Sequence, residues 1–197
     1  MKNNNKKNVN KNIVVKPYAP NIGAVITGID LSEKISDYEL NFIKDSFYKF
    51  QVLFFQKQCE ISPENHIKLG KSFGELHIHP AAPKMKSFPE IFEIHTHKDS
   101  KISNGAENFH SDVSCDSEPP LGTMLQLHIL PEYGGDTLFS NQVLAFESLS
   151  EPMQRLLCGL TAINSAGNPG IMSTRQDRIQ ESDSRAKKSH AGCTDVR

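Results

Sequence analysis

The chain has 197 residues, 37% of them hydrophobic and 23% charged, with a formal net charge of -1. That length suits one globular domain, and the balanced charge supplies no field to attract a nucleic-acid backbone or an anionic membrane. No run reaches the ~18 consecutive apolar residues of a bilayer span, no apolar segment follows Met1 as a secretory leader requires, and Cys59, Cys115, Cys158 and Cys193 form no C-x-x-C pair, so neither a disulfide framework nor a zinc knot is indicated and the cytoplasm is the expected compartment.

Residues 1–12 are mostly Asn and Lys and read as a flexible polar lead-in. Ile13-Val14-Val15 and Ala24-Val25-Ile26, separated by Pro17, Pro20-Asn21 and Gly23, predict two strands joined by turns. Ser36 opens a helix: Glu39 stands at the capping-box position, and Leu40, Ile43, Phe47 and Phe50 recur on one helical face. Val52 to Phe55 is too short for a helix and suits a buried strand. Ser62-Pro63-Glu64 then starts a second helix. The Phe47, Phe50, Phe54 and Phe55 cluster reads as core.

Beyond Phe73 the pattern predicts strands at Glu75 to His79, Ile91 to His97, Leu121 to Leu130 and Thr137 to Phe139, punctuated by Pro119-Pro120 and Gly134-Gly135. Helices are predicted from Val143 to Leu149 and after Ser150-Glu151-Pro152. Of the 30 residues from Asn168 to Arg197, seven are hydrophobic, ten charged and none aromatic. Such a segment buries little and is expected to be a divergent, solvated tail. The domain expectation is therefore a lead-in at 1–12, a folded domain at 13–167 and a tail at 168–197.

The chemistry begins with paired ligand-type side chains two apart: His77-x-His79, His95-x-His97 and His110-x-Asp112. On a strand, residues i and i+2 face the same side, so an H-x-D can offer an imidazole nitrogen and a carboxylate oxygen to one cation. That is two-thirds of the facial 2-His-1-carboxylate set of non-haem Fe(II) sites. The spacing alone is also what a polar strand end produces. Read individually, His77, His95, His97 and His128 are structural or exposed histidines, and Thr137 is a β-prone residue in a strand.

The surrounding run is more specific. Asn108-Phe109-His110-Ser111-Asp112-Val113, Glu118-Pro119-Pro120-Leu121-Gly122-Thr123, Leu130-Pro131 and Gly134-Gly135-Asp136-Thr137-Leu138-Phe139 together resemble the taurine dioxygenase family of Fe(II)/2-oxoglutarate-dependent oxygenases. Phe73-Gly74-Glu75-Leu76-His77-Ile78-His79-Pro80, Asn21-Ile22-Gly23-Ala24 with Gly28-Ile29-Asp30-Leu31, and Gln51-Val52-Leu53-Phe54-Phe55 resemble it upstream, in the same order. The resemblance runs from about residue 13 to about residue 163.

The resemblance implies a double-stranded β-helix, a jelly roll with helices outside. The chain is accordingly expected to be α+β, mainly β, and to encode the N-terminal part of that scaffold. It implies His110 and Asp112 as iron ligands, Thr137 as a hydroxyl holding a carboxylate of 2-oxoglutarate, and His79 as a contact to the acidic head of the substrate. Asn108 and Val113 are implied to shape the substrate pocket. The implied cofactor set is Fe(II), 2-oxoglutarate and O2. The implied reaction couples hydroxylation of the substrate to oxidative decarboxylation of 2-oxoglutarate to succinate and carbon dioxide. The implied partner is a small acidic organic substrate, with no nucleic acid or membrane, and a homo-oligomer is left open.

Three departures shape the expectation. Ala82 replaces an aromatic residue of the taurine enzymes and Ala106 replaces an Asn, which turns the expected substrate from taurine toward another sulfonate, a sulfate ester or a carboxylate. The family's distal histidine and its 2-oxoglutarate-binding arginine have no match, since His128 and His190 stand in the wrong contexts. The chain is therefore expected to be truncated, to expose open strand edges and apolar faces, and to admit an alternative reading as a catalytically impaired remnant.

Overall fold

The computed structural model describes residues 12–78, 85–94, 109–114, 116–164 and 194–196. By its internal contacts the chain divides into two units, 1–65 and 66–197.

In the first unit, β1 (Val14–Pro17) pairs antiparallel with β2 (Ala24–Thr27), Val14 opposite Thr27 and Pro17 opposite Ala24. The return is tight because Gly23 adopts φ +88° and its carbonyl accepts the Tyr18 N–H at 2.9 Å. β2 also pairs in parallel with β3 (Leu53–Phe55), Ala24 opposite Leu53 and Ile26 opposite Phe55. A parallel pair needs a crossover between its strands, which α1 (Asp37–Phe50) supplies. The capping box expected at Ser36 is present: Ser36 Oγ accepts the Glu39 N–H at 3.3 Å, and Glu39 Oε2 accepts the Ser36 N–H at 2.8 Å.

Period-2 alternation buries Ala24 and Ile26, and the helical period places Ile43 against the same core with Ile29 and Leu31. The phenylalanine cluster borders this core half-buried, with the Phe54 ring 5.1 Å from that of Tyr18. Gln58 pins the connection from β2 to α1. Its Oε1 accepts the Leu31 N–H at 2.8 Å and its Nε2 donates to the Ile29 carbonyl at 3.1 Å. Gly28 has φ +87° there, and a Cβ on it would lie 2.5 Å from the Asn12 carbonyl oxygen, so this turn admits only glycine.

The boundary between the units falls within α2 (Pro63–Lys71), whose start is marked by Ser62 Oγ accepting the Asn65 N–H. In the second unit, α3 (Gln142–Glu147) is capped by Asn141 and α4 (Glu151–Cys158) starts on the expected Ser150-Glu151-Pro152. Gln154 Nε2 ties α4 back to the carbonyls of Glu147 and Leu149 at 3.1 and 2.9 Å. A strand not foreseen from the sequence, β4 (Ala162–Asn164), pairs antiparallel with β5 (Thr194–Val196) from the polar C-terminal segment.

The α+β character is as expected, but the weighting toward β is not seen among the described residues. Segments 75–78, 91–94, 121–130 and 137–139 form no ladder there; His79 and residues 95–97 lie outside the described residues. The physical reason is that a strand is a paired object: alternation selects a face, and hydrogen bonds come only from a neighbouring strand. Leu125, Leu127 and Ile129 do alternate, yet they are 64%, 64% and 78% exposed, so the apolar face that the sequence encodes meets no covering layer among the described residues.

Candidate functional site

The residues of interest lie in the second unit, in the stretch 109–123 and what touches it. His110 Nε2 is 3.2 Å from Asp112 Oδ1, with both side chains about half exposed. The expected geometry of this pair is corrected in one respect. Residues 112–114 form a turn, not a strand, closed by the Asp116 N–H donating to the Val113 carbonyl at 3.0 Å. Val113 takes φ +50°. A β-branched residue there is strained by about 1–3 kcal/mol, the kind of cost that structures hold at sites with a task. The turn, in place of a pleat, brings imidazole and carboxylate together.

The second oxygen of Asp112 is engaged separately: Thr123 Oγ1 donates to Asp112 Oδ2 at 2.8 Å. Next along the loop, Asp116 Oδ2 lies 3.1 Å from His77 Nε2, and Asp116 Oδ1 accepts the Glu118 N–H at 3.2 Å. The Glu118 N–H foremost, and then His77, hold the Asp116 carboxyl below its ordinary range against a partial desolvation that works the other way. His66, on α2, is held below its usual value first by desolvation, opposed by a hydrogen bond to the Met124 backbone and reinforced by His128. His77 thus braces the loop at Asp116.

Of the residues singled out from the sequence, His110, Asp112 and Val113 are brought together. Thr137 stands in an exposed stretch after Gly134 and Gly135, both at positive φ. His79 and Asn108 lie outside the described residues. Thr123, Asp116 and His66 carry no role in the sequence reading, because nothing local in a sequence marks a partner 11 or 39 residues away.

The donor set can be tested against a cation. Two ligands at ~2.1 Å on adjacent corners of an octahedron lie about 3.0 Å apart, and the observed 3.2 Å between His110 Nε2 and Asp112 Oδ1 is close to that spacing. Imidazole nitrogen with carboxylate oxygen is also the mixed set that divalent iron accepts. Among the described residues no third His, Cys, Asp or Glu joins them.

In the second unit a turn brings an imidazole and a carboxylate within 3.2 Å of each other. The particular family follows from comparison: the sequence profile described as taurine catabolism dioxygenase TauD, TfdA family matches residues 15–191, and the chain belongs to that family. It is 33% identical over 144 residues to an alkylsulfatase of Acinetobacter baylyi, covering 73% of this chain and 44% of that protein. It is 30% identical over 184 residues to an alpha-ketoglutarate-dependent sulfonate dioxygenase of Saccharomyces cerevisiae, covering 89% and 44%. Its structure is similar to that of a taurine dioxygenase from Burkholderia xenovorans, with a TM-score of 0.64 at 30% identity, covering 78% of this chain and 53% of that one. The chain spans about half the length of these relatives.

Proposed function

We propose that this chain carries the metal-binding half of an Fe(II)/2-oxoglutarate-dependent dioxygenase that hydroxylates a small acidic metabolite, a sulfonate, sulfate ester or carboxylate. The observation that carries this reading is the convergence of His110 Nε2 and Asp112 Oδ1 at 3.2 Å within the stretch matched by the family. The relatives named for sulfonate and alkylsulfate chemistry support the substrate class. The scaffold is read as the N-terminal part of a jelly roll, with 13–167 as its domain portion and 168–197 as a tail. A cytoplasmic setting is read from the cysteine spacing, and the lack of nucleic-acid or membrane partners from the charge balance; a homo-oligomer is compatible with both.

His110 would present an imidazole lone pair to the metal and Asp112 a carboxylate oxygen. When bound, Fe(II) with 2-oxoglutarate supplies the activation of dioxygen, the 2-oxo acid leaving as succinate and carbon dioxide. Thr137 is assigned to hold a carboxylate of 2-oxoglutarate through its hydroxyl, and His79 to receive the acidic head of the substrate. Asn108 and Val113 are assigned to the pocket wall beside the metal. The protein's task is to keep the ligands stiff and the substrate carbon oriented.

A second reading, a catalytically impaired remnant lacking the distal histidine and arginine, is favoured by the lack of a third donor among the described residues. One experiment separates the two. Anaerobic addition of Fe(II) and 2-oxoglutarate to the purified chain should produce the visible metal-to-ligand band, and His110→Ala should abolish it. No band in the parent chain would overturn the dioxygenase reading for this chain. Consumption of 2-oxoglutarate well above that of free iron would exclude the remnant.

A further inference from the structure

The two oxygens of Asp112 are divided between two tasks, and the division is made by Thr123. Oδ1 faces His110 Nε2 at 3.2 Å, while Oδ2 accepts the Thr123 hydroxyl at 2.8 Å across 11 residues of chain. A carboxylate rotates freely about its Cβ–Cγ bond unless something holds it, and a free one can chelate a divalent cation through both oxygens. A hydroxyl hydrogen bond on one oxygen restrains the carboxylate's rotation and competes with chelation through that oxygen, leaving the other as the better-placed donor.

We infer that Thr123 is a positioning residue that makes Asp112 a one-oxygen ligand, fixing Oδ1 beside His110 and leaving an additional coordination position for exogenous ligands. The inference rests on His110 and Asp112 being the metal pair. Thr123 has the right place for this role: its hydroxyl reaches Asp112 from 11 residues along the chain. Only a hydroxyl is required, which distinguishes the role from packing: Ser retains it, whereas Val keeps the shape and loses the donor.

The test uses the full chain and Mn(II), which is stable in air. Mn(II) affinity is measured by calorimetry, and the binding mode by infrared difference spectra of chain carrying 13C-labelled aspartate carboxylates. A one-oxygen carboxylate ligand shows a wide separation between its antisymmetric and symmetric stretches, and a chelating one a narrow separation. The parent should show the wide separation. Thr123→Val should narrow it and weaken Mn(II) binding about tenfold, as loss of a hydrogen bond to a metal ligand does, and Thr123→Ser should restore both. Thr123→Val with the parent's spectrum and affinity would overturn the inference while leaving the metal pair intact. His110→Ala with unchanged Mn(II) affinity would overturn the metal pair itself and the inference with it.

Discussion

His77 Nε2 and Asp116 Oδ2 lie 3.1 Å apart, joining positions 39 residues distant in the chain. The contact anchors the loop that carries His110 and Asp112 at its far end, since the same Asp116 closes the turn on Val113 through its backbone. A strained Val113 persists only when its surroundings hold it, and the Asp116 N–H on its carbonyl is one such restraint.

Replacing Asp116 by Asn should therefore loosen the turn. The side chain is about one-third exposed, so the loss in stability is about 1 kcal/mol or less. Because the Asp116 carboxyl is held below its ordinary value near 3.8, its stabilising effect is fully present above that value and is lost as pH falls through the lower folded one. Acid unfolding curves of parent and Asp116→Asn should converge in strong acid and separate above pH 4; curves parallel at every pH would count against the assignment.

His66 titrates with the opposite consequence for a basic group. Desolvation, aided by His128, holds it below 6.5, so the unfolded chain takes up the proton first as pH falls. Stability should be undiminished by His66 above about pH 6.5 and decline below it until the folded value is passed. His66→Gln should flatten that decline, and the proton resonance of the His66 ring should shift with a midpoint below that of a free histidine.

At the start of α1, Ser36→Ala removes the acceptor of the Glu39 N–H. An N-cap of this kind is worth about 1 kcal/mol, and a denaturation midpoint unchanged by the substitution would show that the helix end is satisfied otherwise.

Gly28→Ala should be more damaging. The residue combines φ +87° with a Cβ position 2.5 Å from backbone oxygen, so more than about 1 kcal/mol is expected, read as a lowered thermal midpoint.

The exposed side chains of Leu125, Leu127 and Ile129 should limit solubility. Leu127→Lys should reduce light scattering by the concentrated chain without altering its circular dichroism. Equal scattering would place the cause of any association elsewhere.

Local features were legible in the sequence. Ser36 with Glu39, Asn21 to Gly23 and Pro152 in the first turn of α4 each act within a few residues of themselves, so capping, turn and proline chemistry determine the elements there. His110 and Asp112 do meet, but through a turn and not on the strand that the H-x-D spacing presupposes, while the ordered motifs foretold the family. Only the tertiary structure decided that a turn brings them together, that Thr123 takes one oxygen of Asp112 and that His77 braces the loop. It also decided that the alternating segment 121–130 forms no ladder among the described residues. Pairing across a chain depends on which distant groups arrive at one place, and no local propensity encodes that arrival.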